Sequence, residues 1–338
     1  MRGNGAYPRS AVRQNNHRLF GAAGMLTANK KTARTDTSVN FDGLWLPLIT
    51  PFRDGQLDIR AVRSLACYYA TSGISGLVLF GSTDEGNLIT LDEKSRIVNA
   101  VREAAPQMPI VLGAGAVDTR TMCLGIRKLD RLKPDGWLVP PPYYLCPAAD
   151  GIVWHYKEVA WATKRPIIIY NIPKRTGTVL SVELMEHLCQ YTNCVAVKEC
   201  DPIVLSAMNA RGRLNALCGE DMAFLDHCLQ GGLGAISASA HIRPDIFLAV
   251  MNLAKLGRHD DATMLFASLK PIIRLLFQEP NPSPIKQALA LLSLSSNELR
   301  LPMTPVSEAL AKRLGQALER LPPVEEVFEC VSRNQAGG

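Results

Sequence analysis

The sequence predicts an α/β protein, a (β/α)8 TIM barrel with a C-terminal helical appendage, on three observations. From Gly43 onward a short apolar run, a few turn residues and an amphipathic stretch recur eight times over about 200 residues. Alternation of this kind implies a parallel sheet with right-handed crossovers, and eight such units point to a closed barrel. The first run ends Leu48-Ile49-Thr50-Pro51-Phe52, without the glycine-rich phosphate loop that usually opens a doubly wound fold. Helical patterns continue past the eighth unit, which places a helical region after the barrel.

The predicted strands are residues 43–50, 76–81, 109–116, 136–139, 166–172, 194–198, 214–218 and 234–237. Each is a short apolar run bounded by polar or turn residues, the pattern of a strand buried on both faces. Helices are expected between them over 59–71, 91–105, 119–132, 151–163, 182–191, 202–210 and 221–229. Four more follow over 246–256, 260–276, 284–294 and 306–320, interrupted at Glu279-Pro280-Asn281-Pro282 and at Pro302 and Pro305. The expected organisation is a disordered basic extension over 1–40, the barrel over 41–243, and a barrel-closing helix with the C-terminal helical region over 244–330.

Composition narrows the class of function. Apolar residues make up 47% of the 338 and charged residues 20%, ordinary values for a soluble globule. The formal net charge of +6 sits entirely in the first forty residues, where seven Lys or Arg face one acid, Asp36. The remaining chain has thirty of each sign, so no nucleic-acid partner is expected. That leader, acid-poor and without an apolar period, reads either as a transit peptide or as an extension upstream of a functional start at Met25, and the second reading is preferred. No run reaches the length of a membrane span. Nine cysteines without a C-x-x-C pair indicate reduced thiols and a cytoplasmic protein. The six histidines are dispersed, with no metal-ligand spacing to a cysteine, so no metal is expected.

In a parallel barrel the chemistry lies at the carboxyl ends of the strands. The sixth strand ends Val197-Lys198-Glu199. Side chains alternate along a strand, so Lys198 and Glu199 point to opposite faces and the carboxylate is not the natural counter-ion of the lysine. A lysine buried in that way is expected to have a lowered pKa and to serve as an amine nucleophile toward a carbonyl; the alternative is a side chain that snorkels to water. The fifth strand ends at Tyr170, on the neighbouring strand, either as a proton shuttle for that chemistry or as a core tyrosine. Arg175 offers a planar fork for a carboxylate or is a surface loop residue. Ser82 and Thr83 follow the second strand, where they either cap the next helix or hold an anion at its N-terminus. Glu85 is read as structural.

Gly81-Ser82-Thr83-Asp84-Glu85, Tyr170-Asn171-Ile172-Pro173-x-Arg175-Thr176-Gly177, Val197-Lys198-Glu199, and the tail Glu279-Pro280-Asn281-Pro282-x-Pro284-x-Lys286 with Leu301-Pro302-Met303-Thr304-Pro305 together resemble the dihydrodipicolinate synthase and N-acetylneuraminate lyase family of class I pyruvate aldolases. The resemblance runs in order over residues 43–322. It implies a pyruvate-dependent barrel enzyme, usually a homotetramer built as a dimer of dimers, in which Lys198 forms the Schiff base and no other cofactor is needed. It further implies Tyr170 as central proton relay, Ser82 where the synthases usually have threonine, and Tyr144 as the tyrosine that completes the relay from a neighbouring subunit. Thr83 matches a binder of the pyruvate carboxylate, Ile236 a backbone carbonyl that faces substrate, and Arg175 the arginine of the synthase branch that helps bind the aldehyde.

Two departures from the family stand out. Asp84 replaces the glycine of the usual Gly-Thr-Thr-Gly-Glu loop, either bending the turn or adding a charge. Val117, Thr121 and Lys94 stand where lysine-inhibited synthases carry Asn, Glu and His, so no lysine feedback is expected. The implied reaction is condensation of pyruvate with aspartate semialdehyde to hydroxytetrahydrodipicolinate, as in lysine and diaminopimelate biosynthesis. The alternatives are a lyase for sugar acids or other 2-oxo acids, such as sialic acid, and a catalytically silent binding paralogue.

Overall fold

The structure, a computed structural model, describes residues 40–332. The expected disordered extension therefore lies, Asn40 apart, outside the described residues. Eight parallel strands close on themselves: β1 Gly43–Pro47, β2 Gly76–Leu79, β3 Ile110–Gly113, β4 Gly136–Val139, β5 Ile167–Asn171, β6 Cys194–Glu199, β7 Ala216–Cys218 and β8 Gly234–Ile236. Each pairs in parallel with its sequence neighbours, and β1 pairs with β8.

Period-two alternation sorts the strand residues into two cores. Trp45, Val78, Val111, Leu138, Ile168 and Ile236 fill the barrel interior, whereas their neighbours in sequence, such as Leu44, Leu77 and Ile167, pack outward against the helices. Trp45 plugs the interior and its indole N–H donates to the Phe41 carbonyl at 3.0 Å. Gly76 makes room for it, since a Cβ there would come within 2.2 Å of the indole ring.

The barrel helices are α1 Ile59–Ala70, α2 Leu91–Ala104, α3 Thr119–Leu129, α4 Ala149–Ala162, α5 Val182–Tyr191, α6 Pro202–Arg211, α7 Phe224–Leu229 and α8 Pro244–Lys255. Several start on side-chain caps: Asp58, Asp118, Ser181 and Asp201 accept from backbone N–H groups of the first turn, and Thr90 with Glu93 forms a capping box. Beyond them lie α9 His259–Leu276, α10 Ser283–Leu291, α11 Glu308–Leu318 and α12 Val324–Ser332. The last of these was not expected, nor was the hairpin of Phe52–Arg53 with Gln56–Leu57. Among the described residues no helix is long and apolar enough to cross a membrane.

Candidate active site

Strand register brings the two central groups together. Tyr170 on β5 pairs directly with Lys198 on β6, and the Lys198 ammonium stands 4.4 Å from the centroid of the Tyr170 ring. Glu199 points the other way, as alternation requires: it accepts from Asn171 Nδ2 at 2.7 Å and from the Asp201 N–H at 2.8 Å. The lysine stem passes over the end of β7, where a Cβ on Gly219 would lie 2.9 Å from Lys198 Cε and 2.7 Å from Cys200 Sγ. Gly219 thus keeps the channel for the lysine open. Sequence reasoning passed over it, although it follows a strand's carboxyl end, where the chemistry was being sought.

The expected lowering of the Lys198 pKa does not hold. Burial pushes the ammonium down, but the Tyr170 phenol, the Cys200 thiol and the Asp221 carboxylate oppose it, and the balance lies above the ordinary lysine value. Burial in turn raises the Tyr170 phenol, against the pull of Lys198, and pushes the Cys200 thiol up to about 12. At neutral pH those two neighbours are uncharged, so the group able to hold a charged ammonium there is Asp221. This carboxylate also accepts from the Ser239 N–H at 2.7 Å.

The loop after β2 closes the site from the other side. Ser82 reaches the Tyr170 phenol and favours its ionised form. Thr83 is buried, and its hydroxyl accepts from Asn281 Nδ2 at 2.9 Å. Asp84 is 1% exposed and its backbone is not left-handed, so it occupies the glycine position without strain. Burial raises its carboxyl well above the ordinary carboxylate range, against the pull of the Gly81 N–H and the Lys198 charge. Glu85 takes the left-handed conformation instead, at φ 55°, and is held there from the C-terminal region by Lys286 and by the Arg300 N–H.

A cavity of about 330 Å³ opens over these groups, its wall including Ser82, Asn87, Tyr143, Tyr170, Arg175 and Asn281. Arg175 sits at its rim on the one-turn helix Pro173–Thr176, exposed and available to an incoming anion. Lys198, Thr83 and Ile236 do not form the wall; Lys198 is 7% exposed against Tyr170, and Ile236 is buried opposite Trp45. Tyr144 is not brought to this cavity. It is 87% exposed at φ 74°, and its neighbour Tyr143 faces the cavity in its place. Among the described residues no group of three or more His, Cys, Asp or Glu is placed to hold a metal ion.

A parallel barrel whose strand ends set a buried lysine against a phenol that lines one cavity, with a hydroxyl beside it, defines a (β/α)8-barrel enzyme. The sequence profile of the dihydrodipicolinate synthetase family matches residues 40–321, and the chain belongs to that family. It is 35% identical over 273 residues to the 4-hydroxy-tetrahydrodipicolinate synthase of Bradyrhizobium diazoefficiens, covering 79% of this chain and 92% of the relative. The solved structure of the 4-hydroxy-tetrahydrodipicolinate synthase from Methylacidiphilum fumariolicum superposes with a TM-score of 0.81 at 29% identity, covering 87% of this chain and 99% of that one. The chloride-inhibited dihydrodipicolinate synthase of Acinetobacter baumannii, solved with pyruvate, gives 0.79 at 30% identity, over 83% and 99%. The chain is accordingly an enzyme of the carbon–carbon lyase and synthase type represented by these relatives.

Proposed function

We propose that the protein condenses pyruvate with aspartate semialdehyde to 4-hydroxy-tetrahydrodipicolinate through a Schiff base on Lys198. The observation that carries this reading is the pairing of Lys198 with Tyr170 at the mouth of the barrel, one amine and one phenol in contact beneath a cavity sized for small acids. Lys198 first gives up a proton to the Tyr170–Ser82 relay; its neutral amine adds to the ketone carbon of pyruvate, and the carbinolamine loses water to give the imine. The imine then draws electrons from the adjacent methyl, a proton leaves, and the resulting enamine attacks the aldehyde carbon. Addition of the aldehyde partner's own amino group to the imine carbon closes the ring and frees Lys198.

Tyr170 is suited to move the protons of the first steps, with Ser82 beside it. Arg175 offers the carboxylate clamp for the aldehyde at the cavity rim, and the Thr83 loop that for pyruvate. The Ile236 carbonyl is the further substrate contact that the family resemblance suggests. No metal or organic cofactor is invoked, because the imine itself is the electron sink. A cytoplasmic homotetramer belongs to the same proposal; the exposure of Tyr144 supports a role in a neighbouring subunit rather than its own.

Treatment with pyruvate and borohydride tests the chemistry, since a working imine is trapped as a mass increase on Lys198. Absence of the adduct overturns the reading and leaves the binding paralogue. Ser82 in place of threonine and the added Asp84 favour a second reading, in which the same imine serves sugar acids or other 2-oxo acids. Turnover of pyruvate plus aspartate semialdehyde, compared with cleavage of sialic and 2-oxo-3-deoxy acids, separates the two.

A further inference from the structure

Asn281 ties the segment between α9 and α10 to the loop after β2. Its Nδ2 donates to the Thr83 hydroxyl oxygen at 2.9 Å, across 198 residues of chain. Asn281 belongs to the cavity wall, as do Ser82 and Tyr170, and its Oδ1 is buried without a hydrogen-bond partner among the described residues. Thr83, 4% exposed, sits one step behind that wall, next to Ser82 in the chain and bonded to Asn281 across it. Its hydroxyl accepts the amide N–H and donates to no group among the described residues. The loop does not depend on this bond for its shape. Thr50 Oγ1 donates to the Asp84 carbonyl at 2.7 Å, the Gly86 N–H to the Gly81 carbonyl at 3.0 Å, and Lys286 with the Arg300 N–H holds Glu85.

A hydroxyl has one proton to give and an oxygen that accepts, so a carboxamide can meet it either way round. Accepting through Oδ1 would consume the Thr83 proton. Donating through Nδ2 satisfies the hydroxyl oxygen instead and leaves that proton over, with Oδ1 stranded as the cost. A buried polar pair left half satisfied calls for a further group to complete it. The group missing beside Thr83 is an acceptor, and on a small 2-oxo acid the strong acceptor is the carboxylate. We propose that Asn281 is a positioning residue for pyruvate that acts through Thr83: it holds the hydroxyl by its oxygen and so reserves the proton for the substrate carboxylate. This role builds on the reading above, in which the Thr83 loop takes the pyruvate carboxylate. The segment after the barrel thereby sets the direction of a substrate-binding hydrogen bond, beyond bracing the loop that makes it.

Calorimetric titration of the full-length protein with pyruvate, without an aldehyde, is the test. Asn281→Ala weakens pyruvate binding about tenfold. Thr83→Val weakens it as well, and adding Asn281→Ala to Thr83→Val causes no further loss, because the amide then has no hydroxyl to direct. With Thr83→Ser, which keeps a hydroxyl, the effect of Asn281→Ala returns. Asn281→Asp keeps the size of the side chain but accepts the Thr83 proton; it gives a loss of the same sign and serves where the alanine variant folds poorly. A folded Asn281 variant that binds pyruvate as tightly as the unsubstituted protein overturns the proposal, and so does a loss as large with Thr83→Val as without it. Either result leaves Asn281 a tether whose removal lowers thermal stability alone. Pyruvate that binds in an Asn281-dependent way yet leaves no adduct with borohydride refutes the Schiff base and keeps the carboxylate contact. Failure of the unsubstituted protein to bind pyruvate overturns both.

Discussion

The Lys286 ammonium and the Glu85 carboxylate meet at 2.5 Å with their side chains 0% and 1% exposed, joining the helical region after the barrel to the loop that carries Ser82 and Thr83. Lys286 also donates to the Glu298 carbonyl at 2.8 Å and lies 4.3 Å over the Phe52 ring. Burial pushes its ammonium below the ordinary lysine value, and Glu85 only partly restores it. The C-terminal helices are thereby part of the active-site frame, since Asn281 holds Thr83 and the Arg300 N–H holds the second oxygen of Glu85.

Removing one member of such a pair strands the other charge without water. Lys286→Met is expected to cost about 3–5 kcal/mol of stability. Lys286→Met with Glu85→Gln should recover part of that loss, because the stranded charge is gone. Chemical denaturation of the two variants checks it: equal losses in both would mean that the pair itself, and not the orphaned carboxylate, dominates the cost.

Gly219 supplies a prediction at the lysine. A methyl group placed there meets Lys198 Cε at 2.9 Å and the Glu199 carbonyl oxygen at 3.0 Å, so either the stem or the strand end must shift. Gly219→Ala is expected to lower kcat at least tenfold while the protein remains folded, because displacing a reactive group by a fraction of an ångström misaligns it. The yield of borohydride-trapped adduct and the circular dichroism spectrum, measured together, separate a displaced nucleophile from a damaged fold. A variant with unchanged trapping and turnover would show that the lysine does not need this channel.

The barrel was legible because each strand is buried on both faces and so reads as an unbroken apolar run, with β5 Ile167–Asn171 buried at all five positions. Lys198 and Tyr170 followed from alternation along one strand and adjacency of the next. What escaped notice depends on contacts that no local period encodes. Glu85 and Lys286 are 201 residues apart, and Gly219 matters only because another strand's side chain crosses it. The Lys198 pKa was misjudged for the same reason: burial could be inferred from its own strand, whereas Asp221 comes from the loop after β7. The hairpin at Phe52 has two-residue strands, too short for a hydrophobic pattern, although Asp54-Gly55 marks its turn.

Acid sensitivity follows from three buried histidines. His155, His227 and His241 are each pushed down to about 4 by burial, from an ordinary 6.5. His241 accepts from the Ile49 N–H through Nε2, and its Nδ1 lies 2.8 Å from the Ala238 carbonyl, an arrangement that needs the neutral ring with its proton on Nδ1. Between about pH 6.5 and 4 the unfolded chain binds more protons than the folded one, so stability is full above the upper value and is lost as pH falls toward the lower. Each ring contributes up to about 3 kcal/mol across that window. Urea midpoints measured through the window should fall steeply, and histidine proton resonances should show no titration of these three rings near pH 6.5. A midpoint flat from neutrality to pH 4 would contradict the assignment.

Insensitivity to lysine is the last expectation, and it rests on the residues around the effector positions suggested by the family resemblance. Val117 is 39% exposed and carries no hydrogen-bonding group, and Thr121 lies in the first turn of α3, where its N–H is bound by Asp118. Lys94 turns its ammonium over Phe80, so this position presents a cation. A lysine ligand has two cationic groups to place, and here it would meet like charge at one position and an apolar side chain at another. Turnover of pyruvate with aspartate semialdehyde should be unchanged by millimolar lysine in this protein and reduced in an inhibited relative assayed alongside it. Inhibition of this protein at or below that concentration would mean that the ligand binds through groups other than those three.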